Sequence, residues 1–240
     1  MTPNRKAGTI LKMKMSTPMK RRAMLAAALA AGTAPTMAQS RASLVEAAGR
    51  GDLAHVETLL RAGADIEQRD AAGRTAVLAA TDGNHVDVVR ALITRGANVN
   101  AQDNQRDSAF LLAGARGYTD IVRATLAAGA DLKSTNRYGG TALIPACHHG
   151  HLETVRLLLT TAIDIDHVNH LGWTALLEAV ILGDGGPAHA EIVRLLVARK
   201  ADLELADRDG VTPLAHARRR GQRAVEDILV RAGARSEPAR

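Results

Sequence analysis

The chain has 240 residues, enough to bury a substantial core, but only 2% are aromatic, so that core must consist of Ala, Leu, Val and Ile. The net charge of +6 would suit a nucleic-acid binder, but seven basic residues and no acidic one fall within residues 1–38. The rest of the chain holds 24 basic against 25 acidic residues, which argues against nucleic-acid binding. A single cysteine excludes an internal disulfide.

The first 38 residues have the three regions of a secretory signal peptide. Lys20, Arg21 and Arg22 form a positive segment, residues 23–34 form an Ala-rich apolar segment, and small residues up to Ala38 predict cleavage after that position. The apolar segment is too short to span a bilayer. The pattern predicts export by either a general secretory or a twin-arginine route, and the alternative is an amphipathic N-terminal helix or a signal anchor.

After residue 38 the sequence repeats with a period of 33 residues. The hydroxyl residues that start a predicted helix keep this period except for the last, which follows after 38 residues: Thr75, Ser108, Thr141, Thr174 and Thr212. The turn residues five positions earlier keep the same intervals: Asp70, Asp103, Asn136, Asn169 and Asp207. A constant period of this length is the signature of a repeat architecture built from one supersecondary unit.

Each unit predicts a turn followed by two helices. Gly73 and Gly210 supply the positive φ of a tight turn, and the hydroxyl residue then caps the first helix with its side-chain oxygen. A second Gly separates the helices, as at Gly117, and an apolar stripe marks the second helix, which ends in another Gly, as at Gly129. The pattern therefore predicts an all-α chain.

These turns, helix starts and Gly-Ala helix ends together resemble the ankyrin repeat over about residues 41–236. The resemblance implies an all-α solenoid of about six helix–turn–helix repeats whose hairpin fingers project from one side. Six units fit, called units one to six below, followed by a tail at 237–240: 39–69, 70–102, 103–135, 136–168, 169–206 and 207–236. The resemblance also implies protein binding without catalysis or a cofactor, and we expect a monomer.

Departures from the repeat predict local differences. Ala162 and Lys200 replace the Gly expected after the second helices of units four and five, where a non-Gly residue in the left-handed region costs about 1 kcal/mol. The insertion in unit five, residues 183–188, is rich in Gly and contains Pro, which predicts a solvated loop extending past the stack. Unit one lacks its turn and is expected to cap the solenoid.

Cys147, followed by His148 and His149, is the strongest candidate for catalysis. A Cys–His pair can generate a thiolate nucleophile. Cys147, however, falls at a small-residue position that faces the core, where a Cys behaves as a small hydrophobe. Neighbouring helix residues also point in different directions, so the adjacent His is poorly aimed as a base. We therefore expect no catalytic or metal site, and the alternative is an enzyme that uses Cys147.

The candidate partner-binding residues are those that the resemblance places on the fingers and first helices, outside the scaffold pattern. They are Arg74, Arg106, Arg116, Tyr138, His148, His149, His170, Leu171, Trp173, Ile181 and Leu182. Trp173 is the single tryptophan and directly precedes Thr174, and exposed Trp, Tyr and Arg side chains dominate binding energies at interfaces. The alternative is that Trp173 packs across neighbouring fingers and stiffens them.

These features predict a periplasmic module that binds and stabilises, assembles or inhibits a protein partner through its concave finger face. Small exported bacterial ankyrin proteins look similar over the whole chain. The link of some of them to peroxide defence makes a periplasmic catalase a candidate partner by resemblance alone. An effector secreted into a host cell is a further alternative.

Overall fold

Residues 43–235, the part of the chain that the computed structural model describes, contain twelve short helices in six pairs. The pairs are α1 (Leu44–Gly49) and α2 (Leu53–Arg61), α3 (Ala76–Asp82) and α4 (Val86–Thr94), α5 (Ala109–Arg116) and α6 (Thr119–Ala127), α7 (Leu143–His148) and α8 (Leu152–Leu158), α9 (Ala175–Ile181) and α10 (Pro187–Ala198), and α11 (Pro213–Arg219) and α12 (Arg223–Arg231). No strand occurs within residues 43–235, so the all-α prediction is confirmed. The predicted signal segment, 1–38, and the tail, 237–240, lie outside the described residues.

The helices form two layers. The first helices of the units contact one another in chain order, from α1 through α11, and the second helices do the same from α2 through α12. Small residues at one repeat position, Ala80, Ala113, Ala146 and Ala179, are fully buried and let the first helices approach closely. Phe110, predicted to be a core residue, is also fully buried. The layers thus share one continuous aliphatic core.

Histidines at the start of three second helices tie each unit to the one before it. His85 Nε2 lies 3.1 Å from the Gly49 carbonyl oxygen, and His151 Nε2 lies 3.2 Å from that of Ala115. His189 Nε2 repeats the contact with the His148 carbonyl oxygen at 2.9 Å. An imidazole N–H that donates to these carbonyls satisfies helix-end acceptors that would otherwise lack a partner.

The two helices of a unit are separated by a residue in the left-handed region, as predicted. Gly117 has φ 72°, and Asn84, the non-Gly residue at the same repeat position, has φ 55°. A Cβ on Gly117 would also lie 2.5 Å from the His151 ring, so this position requires Gly both for its φ and for the neighbouring His.

Two helix caps differ from the prediction. Ser108, Thr174 and Thr212 accept hydrogen bonds from the backbone as expected, but Oγ1 of Thr75 and of Thr141 is buried without a hydrogen-bond partner among the described residues. Near Thr141 the backbone differs too, because Pro145 lacks the N–H that would close the first helical turn on the Thr141 carbonyl. Helix α7 consequently begins one residue late. Thr75 has the extended backbone of a cap, φ −81° and ψ 169°, so only its side-chain orientation differs.

The residues that replace Gly behave in two ways. Lys200 adopts φ 63° and keeps the usual helix ending, as a Gly would. Near Ala162 the ending changes, because α8 stops at Leu158, and the hydroxyls of Thr160 and Thr161 donate to the carbonyls of Leu157 and Leu158. These Thr hydroxyls satisfy carbonyls at the helix end where the αL residue is missing.

The insertion in unit five is only in part the solvated loop that its composition predicts. Pro187 and Ala188 form the start of α10, which at 12 residues is longer than the other second helices, and Pro is well suited to a first helical position because no N–H is needed there. Gly183 is buried, and its carbonyl accepts from Gln222 at 3.1 Å. Asp184 is exposed but bonds His189 Nδ1 at 2.8 Å. The insertion therefore lengthens a helix and packs against the stack.

Candidate binding groove

Five hairpin fingers connect the six units, and one side chain shapes each turn. The Asp or Asn that opens the turn accepts, through a side-chain oxygen, backbone N–H groups two and four residues later. In unit five, Asn169 accepts from Leu171 at 2.9 Å and from Trp173 at 3.0 Å. Because a short polar side chain can mimic the backbone in this way, Asp and Asn recur at this position in every finger.

A groove of about 440 Å³ lies between the fingers and first helices of units three to five. Its walls come from the fingers near Asn136 and Asn169 and from helices α5, α7 and α9. The lining residues are Asp107, Ala115, Asn136, Arg137, Tyr138, Gly140, Ile144, Pro145, His148, His149, Asn169, Leu171, Glu178 and Leu182. The lining thus combines large apolar side chains with two carboxylates, two histidines and one arginine.

The apolar part of the groove is unusually exposed. Tyr138 is 52% exposed, Leu171 48% and Leu182 42%, and all three line the groove. The guanidinium carbon of Arg137 lies 4.6 Å from the centre of the Tyr138 ring, and its Nη atoms donate to the Tyr138 hydroxyl and to Gln105. This cation–π contact fixes the tyrosine at the groove edge without covering it.

Glu178 is the most buried charged group in the groove lining. It is 6% exposed, and its Oε1 accepts a hydrogen bond from Asn169 Nδ2 at 3.0 Å. Its Oε2 has His148 Nδ1 as a neighbour at 3.6 Å, which is too long for a hydrogen bond. Burial raises the pKa of Glu178 from its usual 4.5 to about 7, and the bond from Asn169 offsets only part of that shift.

Two histidines lie beside this carboxyl. The rings of His148 and His149 stack with centroids 4.2 Å apart, and His149 is the more exposed of the two. Burial lowers the pKa of His148, and the neighbouring His149 and His189 lower it further. Near neutral pH His148 is therefore mostly uncharged and does little to neutralise Glu178.

Asp107 supplies the second carboxylate. Burial raises its pKa, the like charge of Asp103 adds to this, and the guanidinium groups of Arg137 and Arg116 oppose it. No hydrogen bond or ion pair of its carboxylate is found within residues 43–235. The groove lining therefore holds two carboxylates whose charge the described part of the chain only partly offsets.

The structure brings together five of the eleven predicted site residues. Tyr138, His148, His149, Leu171 and Leu182 line the groove. Trp173 and Ile181 are half-buried and do not line it. His170 is exposed on the finger, where its ring lies over Gly139 and its carbonyl accepts from Arg208.

The three predicted arginines lie elsewhere. Arg74 pairs with Asp70 at 2.9 Å and with Asp82 at 3.2 Å, and Arg116 reaches the same Asp82 at 3.5 Å. Arg106 occupies the turn position that is Gly in units two, four, five and six, with φ 60°. Arg74 and Arg116 thus belong to an ionic cluster on units two and three, and Arg106 belongs to a finger turn.

Cys147 is a core residue, as predicted. Its side chain is fully buried, and burial raises the pKa of its thiol far above the ordinary value, so that the reactive thiolate is strongly disfavoured. Residues 43–235 contain no group of three or more His, Cys, Asp and Glu side chains placed to hold a metal ion.

The residues that sequence reasoning missed are Glu178 and Asp107. Glu178 occupies a first-helix position that is Ala79, Leu112 and Pro145 in the preceding units, so a carboxylate there departs from the repeat. The carboxylates that do recur are scaffold, since each accepts a backbone N–H two residues later, as Asp131 does from Lys133. Comparing the units position by position would have singled out Glu178.

Comparison with known proteins agrees with the geometry. The two-layered stack of helix pairs with one hairpin finger between consecutive pairs defines a solenoid repeat protein. The family model for ankyrin repeats matches residues 44–136 and 110–203, and the chain therefore belongs to the ankyrin repeat family. Domains of this family are protein–protein interaction modules. No helix within residues 43–235 has the length and apolar character needed to cross a bilayer.

Several solved and curated proteins are similar to this chain. An ankyrin repeat domain from Acinetobacter baumannii AYE is 52% identical with a TM-score of 0.77, over 80% of this chain and 98% of that one. The ankyrin repeat protein EF0377 is 39% identical with a TM-score of 0.76, over 78% and 96%. The putative ankyrin repeat protein YahD of Escherichia coli K12 is 44% identical over 57 residues, which span 24% of this chain and 28% of that protein.

Proposed function

We propose that this protein is a non-catalytic module that binds one protein partner in the groove between the fingers and first helices of units three to five. The observation that carries the proposal is the clustering of exposed apolar side chains. Five large apolar residues of the described chain are exposed, and three of them, Tyr138, Leu171 and Leu182, line this one groove. Contiguous exposed apolar surface rimmed by polar groups is typical of interaction sites.

The proposed interaction is binding alone, by a monomer, without chemistry on the partner. The buried Cys147 with its raised pKa and the absence of an activated nucleophile among the groove-lining residues support this. A thiol probe tests it, because a buried scaffold cysteine reacts slowly in the native protein. Rapid labelling of Cys147 under native conditions would contradict it.

We place this binding in the periplasm because of the signal-like residues 1–38. The stabilisation, assembly or inhibition of a periplasmic catalase, and with it a role in peroxide defence, is the specific form that the family resemblance offers. Fractionation of cells that express the full chain tests the compartment. Recovery of the chain in the cytoplasm at its full length would contradict export.

The binding proposal is tested by affinity capture from a periplasmic extract with the wild type and three variants. The double variant Tyr138→Ala/Leu171→Ala removes two exposed walls of the groove. Val230→Ala is a matched control, because Val230 is 47% exposed on α12, outside the groove. Trp173→Ala tests the tryptophan separately.

We expect a specific protein to be retained by the wild type and by Val230→Ala and lost with the double variant. Retention by all of the variants alike would contradict a role for this groove. Loss with Trp173→Ala alone would move the binding site out of the groove, to the surface of the unit-five finger that carries Trp173.

A further inference from the structure

The groove has a chemical asymmetry that the proposed function does not use. Its exposed walls are apolar and aromatic, at Tyr138, Leu171 and Leu182, whereas the polar groups that face it include the carboxylates of Glu178 and Asp107. A purely apolar ligand would bury both carboxylates without compensation, which costs free energy unless they are protonated or paired. A bound ligand must therefore supply hydrogen-bond donors or a positive charge to these carboxylates.

The internal hydrogen bonds leave these acceptors available. Glu178 Oε1 accepts from Asn169, but Oε2 has only His148 Nδ1 nearby, at 3.6 Å. The Asp107 carboxylate accepts no hydrogen bond within the described residues. The one arginine in the lining, Arg137, is held by Gln105 and by the hydroxyl of Tyr138, and it forms no ion pair with either carboxylate.

We propose that the groove recognises a partner segment that carries lysine or arginine side chains between apolar residues, with separate cations meeting Glu178 and Asp107 while their neighbours pack on Tyr138, Leu171 and Leu182. The inference rests on the proposed function and deepens it. A long basic side chain suits this arrangement because its aliphatic stem packs on apolar walls and its charged end reaches the carboxylates. Charge complementarity of this kind sets specificity more than it sets raw affinity.

Binding of a cation at this site is coupled to protonation. The groups that face Glu178 are Asn169 on the finger and His148 and Cys147 on α7. His149 and His189 lower the pKa of His148. His216 on α11 is paired with Asp207. A positive charge on His148 at low pH competes with the ligand for Glu178. Protonation of Glu178 and of His148 thus both weaken binding at low pH.

The test begins with a displayed library of random 12-residue peptides, selected at pH 8 on the full chain. We expect Lys or Arg flanked by apolar residues to be enriched, and the enrichment to be lost when Glu178→Gln or Asp107→Asn is the target. Glu178→Gln keeps the size of the side chain and an acceptor for Asn169, and circular dichroism checks that both variants fold. Glu153→Gln is the matched control, because the Glu153 side chain is 75% exposed and outside the groove.

The dissociation constant of one selected peptide, synthesised with a fluorophore, then measures the charge effect. At pH 8 we expect Glu178→Gln to weaken binding about tenfold, equivalent to about 1.4 kcal/mol. We expect wild-type binding to weaken about tenfold between pH 8 and pH 5.5, since Glu178 titrates near 7. Glu153→Gln should leave the dissociation constant at pH 8 and its change between pH 8 and pH 5.5 the same as in the wild type.

The outcomes separate this inference from the proposed function. Selected peptides without Lys or Arg enrichment, whose binding is nevertheless lost with Tyr138→Ala/Leu171→Ala, would overturn the cation inference and leave the groove as a binding site. Selected peptides whose binding is unaffected by the carboxylate variants and by Tyr138→Ala/Leu171→Ala would overturn both the cation inference and the proposed function. A selected peptide that keeps its affinity when its basic residue is replaced by Gln would also overturn the inference.

Discussion

The same repeat positions are used in opposite ways at two places along the stack. In units two and three they hold a closed ionic cluster, in which Asp82 pairs with both Arg74 and Arg116. Two units further along, the positions of Asp82 and Arg116 are taken by His148 and Leu182, and both line the groove. The first region satisfies its charges within the chain, whereas the second leaves carboxylates and apolar side chains for a partner.

This difference shows where function departs from scaffold in a repeat protein. Each unit contributes the same backbone, so a binding site can arise only from residues at positions that the turns, caps and core leave free. The groove differs from the ionic cluster because its carboxylate charges are only partly offset within the described chain and its apolar side chains are exposed. Substitutions can either disrupt the groove or compare it with the ionic cluster.

The largest effect is expected where the first helices that line the groove touch. A Cβ on Gly114 of α5 would lie 2.8 Å from the Ala142 Cβ and 3.0 Å from the Ala142 carbonyl oxygen. Gly114→Ala should therefore lower the free energy of unfolding by about 2 kcal/mol, measured by urea denaturation. Gly49→Ala in α1 is the control, because its new Cβ would meet nothing closer than 3.7 Å. Gly49→Ala should raise stability by about 0.5 kcal/mol. Equal effects of the two changes would contradict the tight α5–α7 contact.

The next effect concerns the buried carboxyl of the groove. The pKa of Glu178 is raised from 4.5 to about 7 in the folded state. Between pH 4.5 and pH 7 the folded state therefore keeps a proton on Glu178 that the unfolded state has released. Stability from this group is present below pH 4.5 and is lost as the pH rises through 7. Glu178→Gln should thus raise the free energy of unfolding by about 2 kcal/mol at pH 8 and have little effect at pH 4.5.

The comparison uses thermal or urea unfolding at both pH values. The control Glu153→Gln changes a largely exposed carboxylate and should be neutral at each pH. A wild type more stable than Glu178→Gln at pH 8 would contradict the raised pKa and show that the charged form of Glu178 is stabilised within the chain.

Trp173 is expected to contribute more to stability than to binding. The side chain is half-buried in the finger of unit five and does not line the groove. Trp173→Ala should lower the free energy of unfolding by about 1 kcal/mol, since a partly buried aromatic loses only part of its packing. Partner affinity should stay within about twofold of the wild type, a change of about 0.4 kcal/mol. A loss of affinity without a loss of stability would restore Trp173 as the binding residue.

The smallest effect is expected at the ionic cluster. The Asp82 side chain is 40% exposed and Arg116 is 54% exposed, so solvent and salt screen their attraction. Asp82→Asn should lower stability by about 0.5 kcal/mol at low salt and by less at 1 M NaCl. An effect as large as that of Gly114→Ala, independent of salt, would show that this cluster is structurally essential.

Much of the fold follows from local chemistry that the sequence displays. The period of Asp and Asn residues, from Asp70 to Asp207, marks the turns because those side chains cap the turns themselves. The Gly residues mark helix breaks because their φ is positive. The departures follow from neighbours that periodicity cannot weigh: Pro145 delays α7, and Pro187 turns part of an insertion into helix.

The groove could be predicted only in part. Tyr138, Leu171 and Leu182 stand out as large apolar residues at variable positions, and the structure places them around one groove. The role of Glu178 depends on its burial, on a hydrogen bond from Asn169 nine residues away, and on a histidine in the preceding unit. Such properties arise from the stacking of units, so single positions in the sequence do not reveal them.

Hydrogen–deuterium exchange of the protein with its captured partner decides whether the groove is the binding site, because it compares both regions in one experiment. We expect slower exchange on partner binding in residues 136–149 and 169–182, the fingers and first helices of the groove. We expect no change in residues 70–82, the finger and first helix of the ionic cluster. Protection confined to residues 70–82 or to the second helices, with the groove unaffected, would contradict partner binding in the groove.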